Sequence, residues 1–249
     1  MDADDSPDAA LLSRWGAIPE SVMPAIPTDS ASWGFKIWYS ARNGAGQEVN
    51  DLGQTMAFLR DIDAETSQWQ SAYYGPVDAL NHSFNGENRG RINPTDPYPE
   101  PNQPGSNGEA AGRRADRIAC LGRALLDIPA DGEYSFQVRS DDGFLLRFAD
   151  SNNVFIAKDG GGVIETDTPF EVSFQNGTGD SNTRAVAELT AGLHELIFVW
   201  WEGGGGDHFE VSVAEGEHLS QDGPYVLLDS SNYEVPLYED TDEDTLNDA

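Results

Sequence analysis

The sequence is poor in cysteine, in cations and in long apolar runs. One cysteine, Cys120, stands among 249 residues. With no internal partner it forms no intrachain disulfide, so the fold is not stapled. Its neighbours in "DRIACLGRALLDI" are mostly apolar, which predicts a buried inert thiol rather than a nucleophile. Lys and Arg number 14 against 44 Asp and Glu, a formal charge of −30. Nucleic acid and anionic membrane surfaces repel such a chain. No apolar run reaches the roughly 20 residues of a membrane-spanning helix. The acidic start "MDADDSPDAA" lacks the basic-then-apolar order of a signal peptide.

Catalytic signatures are also scarce. There is no nucleophile elbow, no His-Glu-x-x-His helix and no Cys-x-x-Cys pair. His82, His194, His208 and His218 are scattered, which favours hydrogen-bonded or solvated roles over zinc. No Lys-Ser or Lys-Thr follows the glycines 203–206, so they form no phosphate loop. Carboxylates are too numerous for a glycosidase pair to be singled out. The expectation is a protein that is not an enzyme.

Glycine (26), proline (14) and short alternating stretches are abundant, which points to an all-β chain. In "GEYSFQVRS" Tyr134, Phe136 and Val138 share one face. "GFLLRFAD", "NVFIAKDG", "PFEVSFQN", "RAVAELT" and "HFEVSVAEG" follow at strand-like spacing. "LHELIFVWWE" (193–202) is apolar on both faces and predicts a central strand covered on both sides. Leu52, Met56 and Leu59 fall at helical spacing behind Asn50 or Asp51 as cap. The expected architecture is an antiparallel β-sandwich with one or two short helices, one near 8–15, and long loops. Residues 1–30 read as an acidic, Pro-rich lead-in, 31–235 as the sandwich and 236–249 as an acidic tail. Within the sandwich, 85–116 is a long irregular stretch rich in proline and glycine.

The tail "YEDTDEDTLNDA" spaces Asp240, Asp242, Asp244 and Asp248 at positions 1, 3, 5 and 9 of a Ca²⁺ loop. It resembles the start of a thrombospondin type-3 calcium repeat, with Glu243 and Thr245 where glycines are usual. That resemblance implies an extracellular, bacterial surface setting. Asn81-His82-Ser83 and Asn176-Gly177-Thr178 match glycosylation sequons, but a bacterial setting argues against their modification.

In "RSDDGFLLRF" (139–148) two adjacent acids interrupt what reads as two strands joined by a tight bend. An Asx-capped β-turn needs only one of them. Together with Leu189, Ala191, Gly192 and His194 ahead of the apolar strand, Ser140–Gly143 resembles the PA14 family. The likeness is specific over 118–214 and looser over 31–84. It implies a β-sandwich of adhesin or lectin type. In the adhesin branch the Asp-Asp bond is cis and both carboxylates bind one Ca²⁺, which here implies Asp141 and Asp142. The remaining ligands come from the loop after the penultimate strand, here "WWEGGGGDH" (200–208). That loop has no asparagine, so Glu202 or Asp207 is the expected substitute. Gly203, Gly204 and Gly205 would leave carbonyls accessible, and Trp201 would offer a ring face to a sugar.

These readings give an expected extracellular, Ca²⁺-dependent carbohydrate-binding module, monomeric as an isolated domain, binding no nucleic acid and inserting into no membrane. The alternatives are a spacer domain stiffened by calcium, or an accessory lobe of a polysaccharide-active enzyme.

Overall fold

Among the described residues, period-2 alternation and 3.6-residue spacing set fourteen strands and one helix. In chain order they are β1 (Trp33–Tyr39), α1 (Leu52–Ile62), β2 (Gln70–Val77), β3 (Asn81–Ser83), β4 (Asp96–Pro97), β5 (Ile118–Ile128), β6 (Gly132–Asp141) and β7 (Phe144–Phe148). They continue with β8 (Val154–Gly160), β9 (Val163–Ile164), β10 (Glu171–Phe174), β11 (Ser181–Leu189), β12 (Gly192–Glu202), β13 (His208–Glu215) and β14 (Val226–Leu227). The computed structural model describes residues 14–28, 30–39, 49–62, 70–83, 88–98, 117–232 and 235–239. The tail acids Asp240, Asp242, Asp244 and Asp248, most of the 85–116 stretch and most of the helix expected over 8–15 lie outside the described residues.

Two sheets form the sandwich. The first runs β2-β1-β5-β12-β7-β10-β9 and the second β4-β3-β13-β6-β11-β8, with β14 added to β13. All pairings are antiparallel except β3 with β4. The inner faces meet in an aromatic core that includes Phe35, Phe136, Phe148, Phe198, Trp200 and Phe209. The Trp200 and Phe209 ring centroids lie 4.9 Å apart.

Strand β12 sits in the middle of the first sheet and is buried on both sides, as its sequence implies. Leu196, Phe198 and Trp200 face the second sheet. Ile197, Val199 and Trp201 face α1, whose Leu52, Met56, Phe58 and Leu59 form a second core. Asp51 caps that helix: its Oδ1 accepts from the Gln54 amide at 2.7 Å.

Part of the expected lead-in belongs to this second core. Ile18, Val22 and Met23 are buried in it. Lys36 Nζ donates to the carbonyls of Val22 and Met23 at 2.9 and 2.7 Å. At the other end of the chain Val235 and Leu237 join the inter-sheet core, and Leu237 bridges to Leu126.

The bend in "RSDDGFLLRF" is not a hairpin. Strand β6 belongs to the second sheet and β7 to the first, so Asp142-Gly143 is a corner between sheets. The same crossing recurs from β12 to β13 through 203–207 and from β10 to β11 through 175–180.

Leu145 and Leu146 test the two-sided packing, since one faces each core. Leu145→Ala and Leu146→Ala are each expected to cost about 2–5 kcal/mol in denaturant unfolding, the range for truncating a buried leucine. A near-neutral Leu145→Ala would show that the helix side is not a packed core.

Candidate metal centre and ligand site

The three corners between sheets meet at one end of the sandwich, and Asp142 ties them together. Its Oδ1 accepts from the Thr178 amide at 2.7 Å and its Oδ2 from the Gly203 amide at 2.9 Å. The Trp201 amide donates to the Gly143 carbonyl at 3.2 Å. Helix α1 is fixed to the same end, because the Leu52 amide donates to the Gln175 carbonyl at 2.9 Å. The Asp141–Asp142 peptide bond is cis.

Glu202, the last residue of β12, continues the inward-facing row of Phe198 and Trp200 and is completely buried. Oxygens of Asp141, Asp142 and Glu202 all lie within 4.8 Å of one another. Asp207 is also buried beside them, while Asp141 is half-buried and the most exposed of the four.

The glycines of the 203–206 loop allow this convergence. A Cβ on Gly206 would stand 2.6 Å from Asp141 Oδ2, and one on Gly203 would stand 3.3 Å from Asp142 Oδ2 and 3.1 Å from Asn50 Oδ1. Side chains here would push into the acids, so the loop backbone lies directly against them.

Electrostatics show an unbalanced cluster. Burial, then the charges of Asp142, Asp141 and Asp207, push Glu202 up to about 9, against a small opposing effect of the Gly204 amide. Neither Glu202 oxygen has a hydrogen-bond partner of normal geometry among the described residues. Burial and the charges of Asp142, Asp207 and Asp180 raise Asp141 to about 6. Burial raises Asp142 as well, partly offset by the amides of Gly203 and Thr178. A buried carboxylate with no partner is costly unless a proton or a cation neutralises it. All the converging donors are oxygens, which suits a hard cation such as Ca²⁺, whose shell takes 6–8 of them. Asp141, Asp142 and Glu202 would hold the ion, and the ion would cancel their mutual repulsion.

The structure thus brings together Asp141, Asp142 and Glu202, with Asp207 beside them. It corrects the reading of Trp201. That ring is completely buried in the α1-facing core and offers no face to a sugar. Alternation along β12 decides this, since Trp201 points away from the inter-sheet side that Glu202 occupies. Gly204 and Gly205 are exposed, and Gly203 is half-buried. His82, His194 and His218 each contact a backbone carbonyl, of Pro97, Thr190 and Glu215 respectively. Asn81 is buried and its amide donates to the carbonyls of Ile92 and Pro94, which makes that sequon a structural asparagine.

Sequence reasoning missed the 175–180 corner, including Thr178 and Asp180, and missed Gly206. The signal was present in "QNGTGD", a glycine-rich gap between two strands that carries its own acid.

No protein-family model matches the chain, and no curated protein matches it. Among solved structures, a PA14 sugar-binding domain from an RTX adhesin superposes with a TM-score of 0.50 at 17% identity, covering 86% of this chain and 99% of that one. The PA14 domain of the antifreeze protein MpAFP gives 0.49 at 13% identity, covering 90% and 97%. An Epithelial Adhesin A domain from Candida glabrata, solved with β-lactose, gives 0.43 at 12% identity, covering 85% and 96%. The first of these, at 0.50, shows the fold to be a PA14-like β-sandwich.

Glu202 gives the ion-free site a pH signature. In the folded chain it keeps its proton up to about 9, whereas an unperturbed Glu loses it near 4.5. Between those values the folded state binds more protons than the unfolded state, so stability falls as pH rises. With chelator present, the melting temperature is expected to fall between about pH 5 and about pH 9. Glu202→Gln should flatten that fall, leaving the smaller part below about 6 that belongs to Asp141. Equal slopes in the two proteins would show that Glu202 is not held protonated.

Proposed function

We propose that the chain is a calcium-dependent carbohydrate-binding module of adhesin type that works outside the cell. The observation that carries this reading is the completely buried Glu202 carboxylate, which has no hydrogen bond of normal geometry among the described residues and converges on Asp141 and Asp142. The three acids supply only part of a Ca²⁺ shell. Carbonyls of the Gly203–Gly205 loop and vicinal hydroxyls of a sugar are the oxygens available to fill the rest. Bound calcium would act as a Lewis acid that orients those hydroxyls. Asp141, on the open side, fixes where the sugar reaches the ion, and the Thr178 and Gly203 amides hold Asp142 in place.

The fold supports this reading, since it is shared with the sugar-binding domain of an RTX adhesin. The strong negative charge fits a calcium-rich, saline exterior, where self-repulsion is screened. No helix among the described residues is long and apolar enough to cross a membrane. Burial of Glu202 and Asp207 favours one other reading, in which calcium only stiffens a spacer domain.

Two measurements separate these readings. Calcium at about a hundred times its Kd should stabilise the domain by about 2.7 kcal/mol, and Asp142→Asn should abolish the gain. On a glycan array, binding should appear with calcium and vanish with chelator. Stabilisation without glycan binding would leave the spacer. Glycan binding that survives both chelator and Asp142→Asn would overturn the calcium-dependent reading.

A further inference from the structure

Asp180 stands at the rim of this site. Ser181 of β11 pairs with Ser140 of β6, which pairs with Phe209 of β13. One step further along, His208 pairs with Asp141. Asp180, the residue before β11, follows the 175–180 corner next to this pair, and its charge acts on Asp141.

The Asp180 side chain is 52% exposed, yet Arg139 holds it. Arg139 donates to its Oδ2 at 2.7 Å, and His208 Nε2 lies 3.3 Å from its Oδ1. Arg139 is half-buried; His208 is buried, but its Nε2 makes no hydrogen bond of normal geometry among the described residues and burial lowers it to about 4, so near neutral pH it is an uncharged neighbour rather than an anchor. An exposed carboxylate usually wanders among rotamers. This one is fixed in place, next to the most accessible acid of the metal cluster, and so is a preorganised acceptor.

We propose that Asp180 is a specificity-determining residue of the glycan site: it accepts a hydrogen bond from a hydroxyl adjacent to those on the ion and rejects acidic sugars. The inference rests on the carbohydrate-binding reading above. The ligand class is an uncharged pyranose with free vicinal hydroxyls. A uronate, sialate or sulfated sugar in the same pose would bring an anion against Asp180 and the surrounding acids. Arg139 is already engaged by Asp180, and Arg89, whose charge reaches Asp141 and His208, is outnumbered there by Asp141, Asp142, Asp180 and Asp207. Arg139 is the positioning residue, acting on the sugar only through Asp180.

The test uses the calcium-saturated full chain, titrated by calorimetry or NMR. The probes are methyl α-mannopyranoside, methyl β-galactopyranoside and methyl β-glucuronide, with calcium affinity measured separately. Wild-type protein should bind at least one neutral glycoside and should bind the glucuronide more weakly. Asp180→Ala removes the acceptor and should lower neutral-glycoside affinity roughly tenfold, the worth of one hydrogen bond to a charged group. Asp180→Asn keeps an acceptor but not the charge. It should preserve most neutral binding and raise glucuronide affinity relative to neutral. Calcium affinity should fall modestly and to the same extent in both variants, since Asp180 is not among the oxygens that converge on the ion but its charge acts on Asp141. Neutral binding unchanged in Asp180→Ala, or a wild-type preference for the glucuronide, overturns the role of Asp180 and leaves the carbohydrate-binding reading standing. Calcium binding without binding of any glycoside overturns both.

Discussion

The Asp142 carboxylate is the joint on which this end of the molecule depends. Its two oxygens accept amides from two other crossings between the sheets, at Thr178 and Gly203. Hydrogen bonds to an ionised acceptor are worth about 1.5–3 kcal/mol each, and here they do more than stabilise. They fix where the 175–180 and 203–207 loops run relative to the end of β6. Those loops then set the positions of Glu202, Asp207 and Asp180 around Asp141. One side chain organises three segments that are far apart in sequence.

That arrangement also concentrates charge of one sign. A sandwich normally ends in solvated turns whose acids stay apart. Here the turns are crossings, and residues at the ends of inward-facing rows reach the same point. Glu202 arrives there because alternation along β12 places it after Phe198 and Trp200. Without an ion, burial and its neighbours drive it to hold a proton. With an ion, the same burial that makes the charge costly in isolation strengthens its attraction to the cation. One feature thus makes the empty site unfavourable and the filled site strong.

Much of the fold was legible because local pattern and tertiary placement agree. Alternation in 132–148 and the two-faced run 193–202 predict β6, β7 and the central β12. The i, i+4, i+7 spacing of Leu52, Met56 and Leu59 predicts α1. Which sheet each strand joins was not legible. Alternation shows that Phe136 and Phe148 share an apolar side with their neighbours, but not that β6 and β7 separate into different sheets at Gly143. The site was legible to the same depth. Asp141 and Asp142 stand out as an adjacent pair, and Glu202 and Asp207 flank a glycine run. Asp180 did not stand out, because its relation to Asp141 exists only through the Ser181–Ser140 register. Trp201 was misread for a related reason. A tryptophan beside a ligand loop can face either way, and the helix that covers it lies well over a hundred residues earlier in the chain.

The last described stretch lies at the opposite pole of the sandwich. Glu202 pairs with Ile118 at one end of β5, whereas Leu237 bridges to Leu126 near the other. At about 3.3 Å per residue those points are about 26 Å apart. The acid cluster and residues 235–239 therefore stand at opposite ends of β5.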